Sequence, residues 1–177
     1  MEIAFKSRTG IQYINNLSKT PIIVPLDKAE SQVNNRLEII IADDDEDDQE
    51  LLAEAISEIS SNTNIRLAGN GKDLMKKLRE LTLPDLVFLD LNMPLMNGFE
   101  CLELIKKDPK LKNVPVLIYS TSANPDQIER TFQDGAHLYI QKPSNITELK
   151  NIVKKIMDIT WDNSALRPTR KEFLLGG

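Results

Sequence analysis

Residues 37–50, LEIIIADDDEDDQE, place two patterns side by side. Leu37–Ala42 is a short, β-branched apolar run, the pattern of a strand buried on both faces. Directly after it, seven acids fall within the eight residues 43–50. Leu52, Ile56 and Ile59 then recur at helical spacing over residues 47–60. A buried strand, a polar strand end and an amphipathic helix form one repeatable unit, and the chain downstream repeats it.

Residues 65–68 suggest a second strand, and Gly69-Asn70-Gly71 turns into a helix carrying Leu74, Leu78 and Leu81. Pro84 precedes a third apolar run at residues 86–89, followed by a helix over 98–107 through Phe99, Leu102 and Ile105. Residues 116–119 give a fourth strand, and its helix, with Ile128 and Phe132, is stopped by Gly135. Residues 138–140 read as a fifth strand, followed by a helix capped near Ser144 or Asn145 and carrying Leu149, Ile152, Val153 and Ile156. Five strand–helix pairs in alternation predict an α/β fold, a doubly wound five-stranded parallel sheet with five helices. Residues 37–158 form this domain, residues 1–36 an N-terminal extension, and residues 159–177 a C-terminal tail too short for a second globular domain.

In the whole chain of 177 residues, acids outnumber bases 27 to 22, for a formal charge of −5. Outside the run at 43–50 the balance is 22 bases against 20 acids, so the acidity is a local feature. No basic patch marks a nucleic-acid surface, and residues 166–177 carry only three bases against one acid. Cys101 is the single cysteine, which excludes an intramolecular disulfide and favours a reducing compartment. No apolar run approaches the roughly 18 residues that span a bilayer, and the first residues have no signal-peptide core. A cytoplasmic protein with no membrane or nucleic-acid partner is expected.

In open parallel sheets the site lies beyond the carboxyl ends of the strands. Asp43 and Asp44 follow the first apolar run, Asp90 the third, Ser120, Thr121 and Ser122 the fourth, and Lys142 the fifth. Converging carboxylates repel unless a cation relieves them, and an oxygen-rich set suits Mg2+ better than zinc. Carboxylate, Mg2+, hydroxyl and ammonium together point to phosphoryl chemistry, with one Asp able to become an aspartyl phosphate.

The set resembles the receiver domain of two-component response regulators, with its flavodoxin-like fold, over about residues 37–158. The matching pieces are IIIADDDEDD, FLDLNMPLMNGFE, PVLIYSTS and YIQKP. It looks most like stand-alone receivers, including those paired with bacterial phytochromes. The resemblance implies that Asp90 is the phosphoacceptor, loaded by a sensor histidine kinase or a histidine phosphotransfer protein. It implies that Asp43, Asp44, Asp90 and the Asn92 backbone carbonyl hold Mg2+. Ser120 and Lys142 would bind the phosphoryl group, Ser120 and Tyr139 would form the switch, and Asn92 and Ser122 would tune dephosphorylation. It further implies a cis Lys142–Pro143 bond, a surface change on the fourth helix and fifth strand, and possible homodimerisation through the last helix and strand. At most, such a domain catalyses its own phosphorylation and dephosphorylation.

Other readings stand beside this one. A haloacid-dehalogenase-like phosphatase also uses a strand-end Asp and Mg2+, but wants a second Asp where Asn92 stands. A degenerate receiver would only bind. A calcium loop of the EF-hand type fits Asp43, Asp45, Asp47, Gln49 and Glu54 by spacing, but its sixth position is Asp48 rather than Gly and a strand precedes it. The acids at 45–50 are better read as a helix start, favoured by the helix dipole, and a solvated face. His137 reads as a surface loop residue, Cys101 as a packed helix residue, and Trp161 as an anchor for the tail or part of an interface.

Overall fold

The structure, a computed structural model, describes residues 36–79, 82–159 and 169–175. The chain runs β1 (Leu37–Ala42), α1 (Glu46–Ile59), β2 (Thr63–Ala68), α2 (Gly71–Leu78), β3 (Leu86–Leu89), α3 (Gly98–Lys107), β4 (Val116–Ser120), α4 (Pro125–Gln133), β5 (Leu138–Gln141), α5 (Ile146–Met157) and β6 (Leu174–Leu175). Leu81, Trp161 and residues 1–35 of the N-terminal extension lie outside the described residues.

All strands are parallel, in the order β2-β1-β3-β4-β5-β6. The order reverses between β1 and β3, so the loops after these strands diverge and leave a crevice at the carboxyl edge. Alternation along each strand assigns its side chains to two layers. Ile40, Val87, Leu89, Ile118 and Tyr139 pack with Leu74 and Leu78 of α2, Cys101, Leu102 and Ile105 of α3, and Ile128 of α4. Ile39, Ile41, Phe88, Leu117 and Ile140 pack with Leu52 and Ile56 of α1 and with Leu149, Ile152, Val153 and Ile156 of α5. Both faces of the central strands are thereby buried, which is why they read as continuous apolar runs.

Helix ends follow their caps. Asp45, Asn70, Asn97, Asn124 and Asn145 each accept a first-turn backbone N–H, and Asn97 forms a reciprocal capping box with Glu100. Gly135, at φ 100°, takes the left-handed position just beyond α4.

Two features depart from the sequence reading. A sixth strand is added beside β5, with Leu174 opposite Tyr139 and Leu175 opposite Ile140. The Tyr139 amide donates to the Phe173 carbonyl at 2.7 Å. Phe173 is wholly buried, with its ring edge-on to Phe132 at 5.0 Å and tilted to Tyr139 at 6.4 Å. Two residues carry no periodicity, so no pattern in the chain announces this strand. His137, expected on a surface loop, is buried. Its amide donates to the Val116 carbonyl and its Nδ1 accepts from the Val116 amide, so the ring extends the β4–β5 ladder.

Candidate functional site

The site forms where the ends of β1 and β3 lie side by side. The Asp43 amide donates to the Ala68 carbonyl and the Asp90 amide to the Ala42 carbonyl, so each acid is fixed by the neighbouring strand as it leaves its own. Asp43 and Asp90 are 2% and 5% exposed, and Asp44 is open to solvent. One carboxylate oxygen from each of the three lies within 4.8 Å of the others. The convergence expected of Asp43, Asp44 and Asp90 is therefore present.

Burial pushes the carboxyls of Asp43 and Asp90 above the usual carboxylate range, against the lowering pull of Lys142 and of backbone N–H donors. Asp43 Oδ1 accepts from the Asp45 amide at 3.1 Å, and Asp90 Oδ2 accepts from the Asn92 amide at 2.9 Å. Asp43 Oδ2 is buried, with the Lys142 ammonium 2.7 Å away as its partner. Three clustered carboxylates fit a hard divalent cation, since an all-oxygen set with water completing the shell is magnesium chemistry.

The cation side comes from β5. The Lys142 amide donates to the Ser120 carbonyl, which turns its side chain back over the site. Its side chain is only 10% exposed, and its ammonium lies 2.7 Å from both Asp43 Oδ2 and Asp48 Oδ2, over the Tyr119 ring at 5.3 Å. Burial alone would lower the Lys142 pKa, but its two carboxylate partners outweigh this and raise it, so the charge is held. The Lys142–Pro143 bond is trans, against the expected cis form. Trans is the lower-energy isomer by about 0.5–1 kcal/mol, and here it already delivers the ammonium to the acids.

Ser120 is fully buried at the end of β4, and its Oγ accepts from the Ser122 amide at 3.3 Å. Ser122 in turn accepts from the Asn124 amide, so its hydroxyl shapes the turn into α4. Tyr139 lies wholly buried on the α4 side of the sheet and its hydroxyl donates to the Ser122 carbonyl at 2.8 Å. A chain of contacts thus links the loop after β4 to Tyr139 and on to Phe173. Asn92 has an exposed side chain beside Asp90.

The β3–α3 loop is held tightly behind the acid. At Gly98 an added Cβ would stand 2.1 Å from the Asp90 carbonyl oxygen and 2.8 Å from Leu91 Cα, so only glycine lets α3 start this close.

Two residues of the site, named in the sequence only against a calcium loop, are assigned to it by the structure alone. Asp48 holds Lys142 across 94 positions of the chain. Gln49 is buried, and its amide donates to the carbonyls of Asp43 at 2.6 Å and Ala68 at 2.9 Å, tying α1 to the ends of β1 and β2. The available signal was that Gln49 alone interrupts the acidic run. The other acids divide as expected: Asp45 caps α1, Glu46, Asp47 and Asp48 lie in its first turn, and Glu46 and Asp47 are exposed.

Comparison with known proteins agrees with this geometry. Residues 39–154 match the model of the response regulator receiver domain. The chain is 31% identical over 129 residues to the chemotaxis protein CheY-3 of Vibrio cholerae, covering 73% of this chain and 98% of that one. The crystal structure of the phosphorylated cyanobacterial phytochrome response regulator RcpA superposes with a TM-score of 0.67 at 34% identity, covering 76% of this chain and 99% of that chain. The Mn(2+)-bound form of response regulator Rcp1 gives a TM-score of 0.64 at 27% identity, with 75% and 99% covered.

Proposed function

The chain belongs to the response regulator receiver family, and from that premise we propose that it relays a signal by accepting a phosphoryl group on Asp90. The donor is a phosphohistidine on a sensor histidine kinase or a histidine phosphotransfer protein. A carboxylate oxygen of Asp90 attacks phosphorus, the P–N bond breaks, and the histidine nitrogen leaves with its electron pair. Asp43, Asp44, Asp90 and the Asn92 carbonyl hold the divalent cation, taken as Mg2+, which supplies charge stabilisation for the phosphoryl oxygens. Lys142 adds a second positive charge from the β5 side, and Ser120 donates its hydroxyl to a phosphoryl oxygen. Ser122 and the exposed Asn92 side chain set how readily water reaches the acyl phosphate.

The single observation that carries this reading is the buried Asp90 carboxylate, flanked by two further acids and facing the field of Lys142. The phosphatase alternative lacks its acid, since Asn92 stands where a second Asp is required. Output passes through Ser120 and Tyr139 to the surface of α4 and β5, part of which β6 and Phe173 cover.

Incubation with acetyl phosphate and Mg2+, followed by intact mass measurement, tests the proposal. A labile gain of one phosphoryl group, lost in Asp90→Asn, is expected. No gain, or multiple turnover of phosphate esters, overturns it. Ultracentrifugation of the two forms tests a phosphorylation-sensitive homodimer, and an unchanged mass overturns that switch.

A further inference from the structure

The acidic run holds more carboxylates than a cation site needs, and Asp48 is set apart from the others by what it touches. It stands in the first turn of α1, and its Oδ2 accepts a hydrogen bond from Lys142 Nζ at 2.7 Å. Lys142 lies equally near Asp43 Oδ2, at 2.7 Å, so the ammonium is shared between a carboxylate of the cation cluster and one outside it. An ammonium carries three protons in a fixed tetrahedron, so it can hold both carboxylates at once. A cation would draw on Asp43 together with Asp44 and Asp90, whose oxygens lie within 4.8 Å of one another, whereas Asp48 stands outside that cluster.

We propose that Asp48 is a positioning residue that parks Lys142: it shares the ammonium with Asp43 and holds it in place when Asp43 Oδ2 goes to the divalent cation. This rests on the cation site of the receiver reading, but on no phosphoryl transfer. Without Asp48, Lys142 leans on Asp43, and a cation must displace that contact with no second carboxylate to take the ammonium. With Asp48, Lys142 keeps a carboxylate partner when Asp43 goes to the metal. Its charge then stays at the mouth of the pocket, ready for the phosphoryl group.

Removing any acid near a cation weakens binding through charge alone, so the test must separate that effect from the parking of Lys142. Calorimetric titration of Mg2+ into the full chain is made for the wild type, Asp48→Asn, Lys142→Gln and the double variant. Asp48→Asn weakens Mg2+ binding roughly 3- to 10-fold when Lys142 is present and less than about twofold when it is absent. Asp48→Glu restores most of the affinity and guards against a fold defect in the amide. Asp47→Asn, an equal charge change in the same turn of α1, produces less than half of the Asp48→Asn effect. An equal loss in both Lys142 backgrounds overturns the proposal, because Asp48 would then act only as a nearby charge. Unchanged affinity in Asp48→Asn, or no Mg2+ binding by the wild type, overturns it too. No phosphodonor is present, so a failure of Asp90 to accept a phosphoryl group leaves these readings intact.

Discussion

Phe173→Ala separates what β6 contributes to the fold from what it contributes to the switch. Phe173 is wholly buried and contacts the rings of Phe132 and Tyr139. Phe88, in the central strand β3, is equally buried. Truncating a buried Phe typically costs about 3–5 kcal/mol, and Phe88→Ala should lose this in full, because β3 has neighbours on both sides and cannot leave the sheet. Residues 169–175 sit at the sheet edge, held by the Phe173 ring, by a two-residue strand and by an exposed Arg170–Glu129 ion pair. They can peel away while the rest stays folded, which caps the global loss at the free energy of docking this segment. Urea unfolding should therefore give Phe173→Ala no more than about half the Phe88→Ala loss. The damage should appear locally instead. The Tyr139 amide, bonded to the Phe173 carbonyl, reports it directly. Losing about 1.5–3 kcal/mol of ring burial should speed exchange at Tyr139 roughly 10- to 100-fold. Equal global losses for the two variants, with Tyr139 exchange unchanged, would refute the reasoning, since β6 would then be an integral part of the cooperative fold.

Gly98→Ala should destabilise by about 1–3 kcal/mol or more and impair phosphorylation of Asp90, because its Cβ would press on the Asp90 carbonyl, whereas Gly69→Ala, with open space around the added carbon, should unfold at nearly the wild-type urea concentration. In metal-free protein Asp90→Asn should raise the thermal midpoint at neutral pH. Burial raises the Asp90 pKa in the folded state, so the folded protein binds the extra proton between the unfolded and folded pKa values, and wild-type stability falls as pH rises through that window. The gain in Asp90→Asn should accordingly shrink as pH is lowered toward about 4, and a gain constant with pH would contradict it. Burial pushes the Cys101 thiol up to about 12, so a thiol reagent at pH 8 should label it only in denaturant, and rapid labelling of the native protein would show that α3 opens. Gln49→Ala should cost about 1–3 kcal/mol by leaving the buried Asp43 carbonyl without its side-chain donor and the Ala68 carbonyl with the Asp43 amide but not the Gln49 amide, whereas Glu50→Ala on the exposed side of α1 should be close to neutral in the same melt.

Leu37–Ala42, Leu86–Leu89 and their helices were legible because burial of both sheet faces writes itself as unbroken apolar runs, and helix faces as a 3.6-residue repeat. Asp43, Asp44, Asp90, Ser120 and Lys142 could be named because a parallel sheet brings the residues after its strands to one edge, whatever the loops between them do. Local pattern alone could not assign partners. Asp48 was one acid among seven until α1 set it against Lys142, and Gln49 was a gap in the run until two strand ends presented carbonyls to it. His137 and Phe173 look like loop residues in the chain, and both are buried by neighbours distant in sequence. Hydrophobic periodicity and the position of polar residues after each strand are enough to set the fold class and the chemical groups of the site. Contacts between distant segments set which carboxylates share the lysine and what covers the edge of β5. Those outcomes depend on distances of a few ångströms between segments that no local pattern connects.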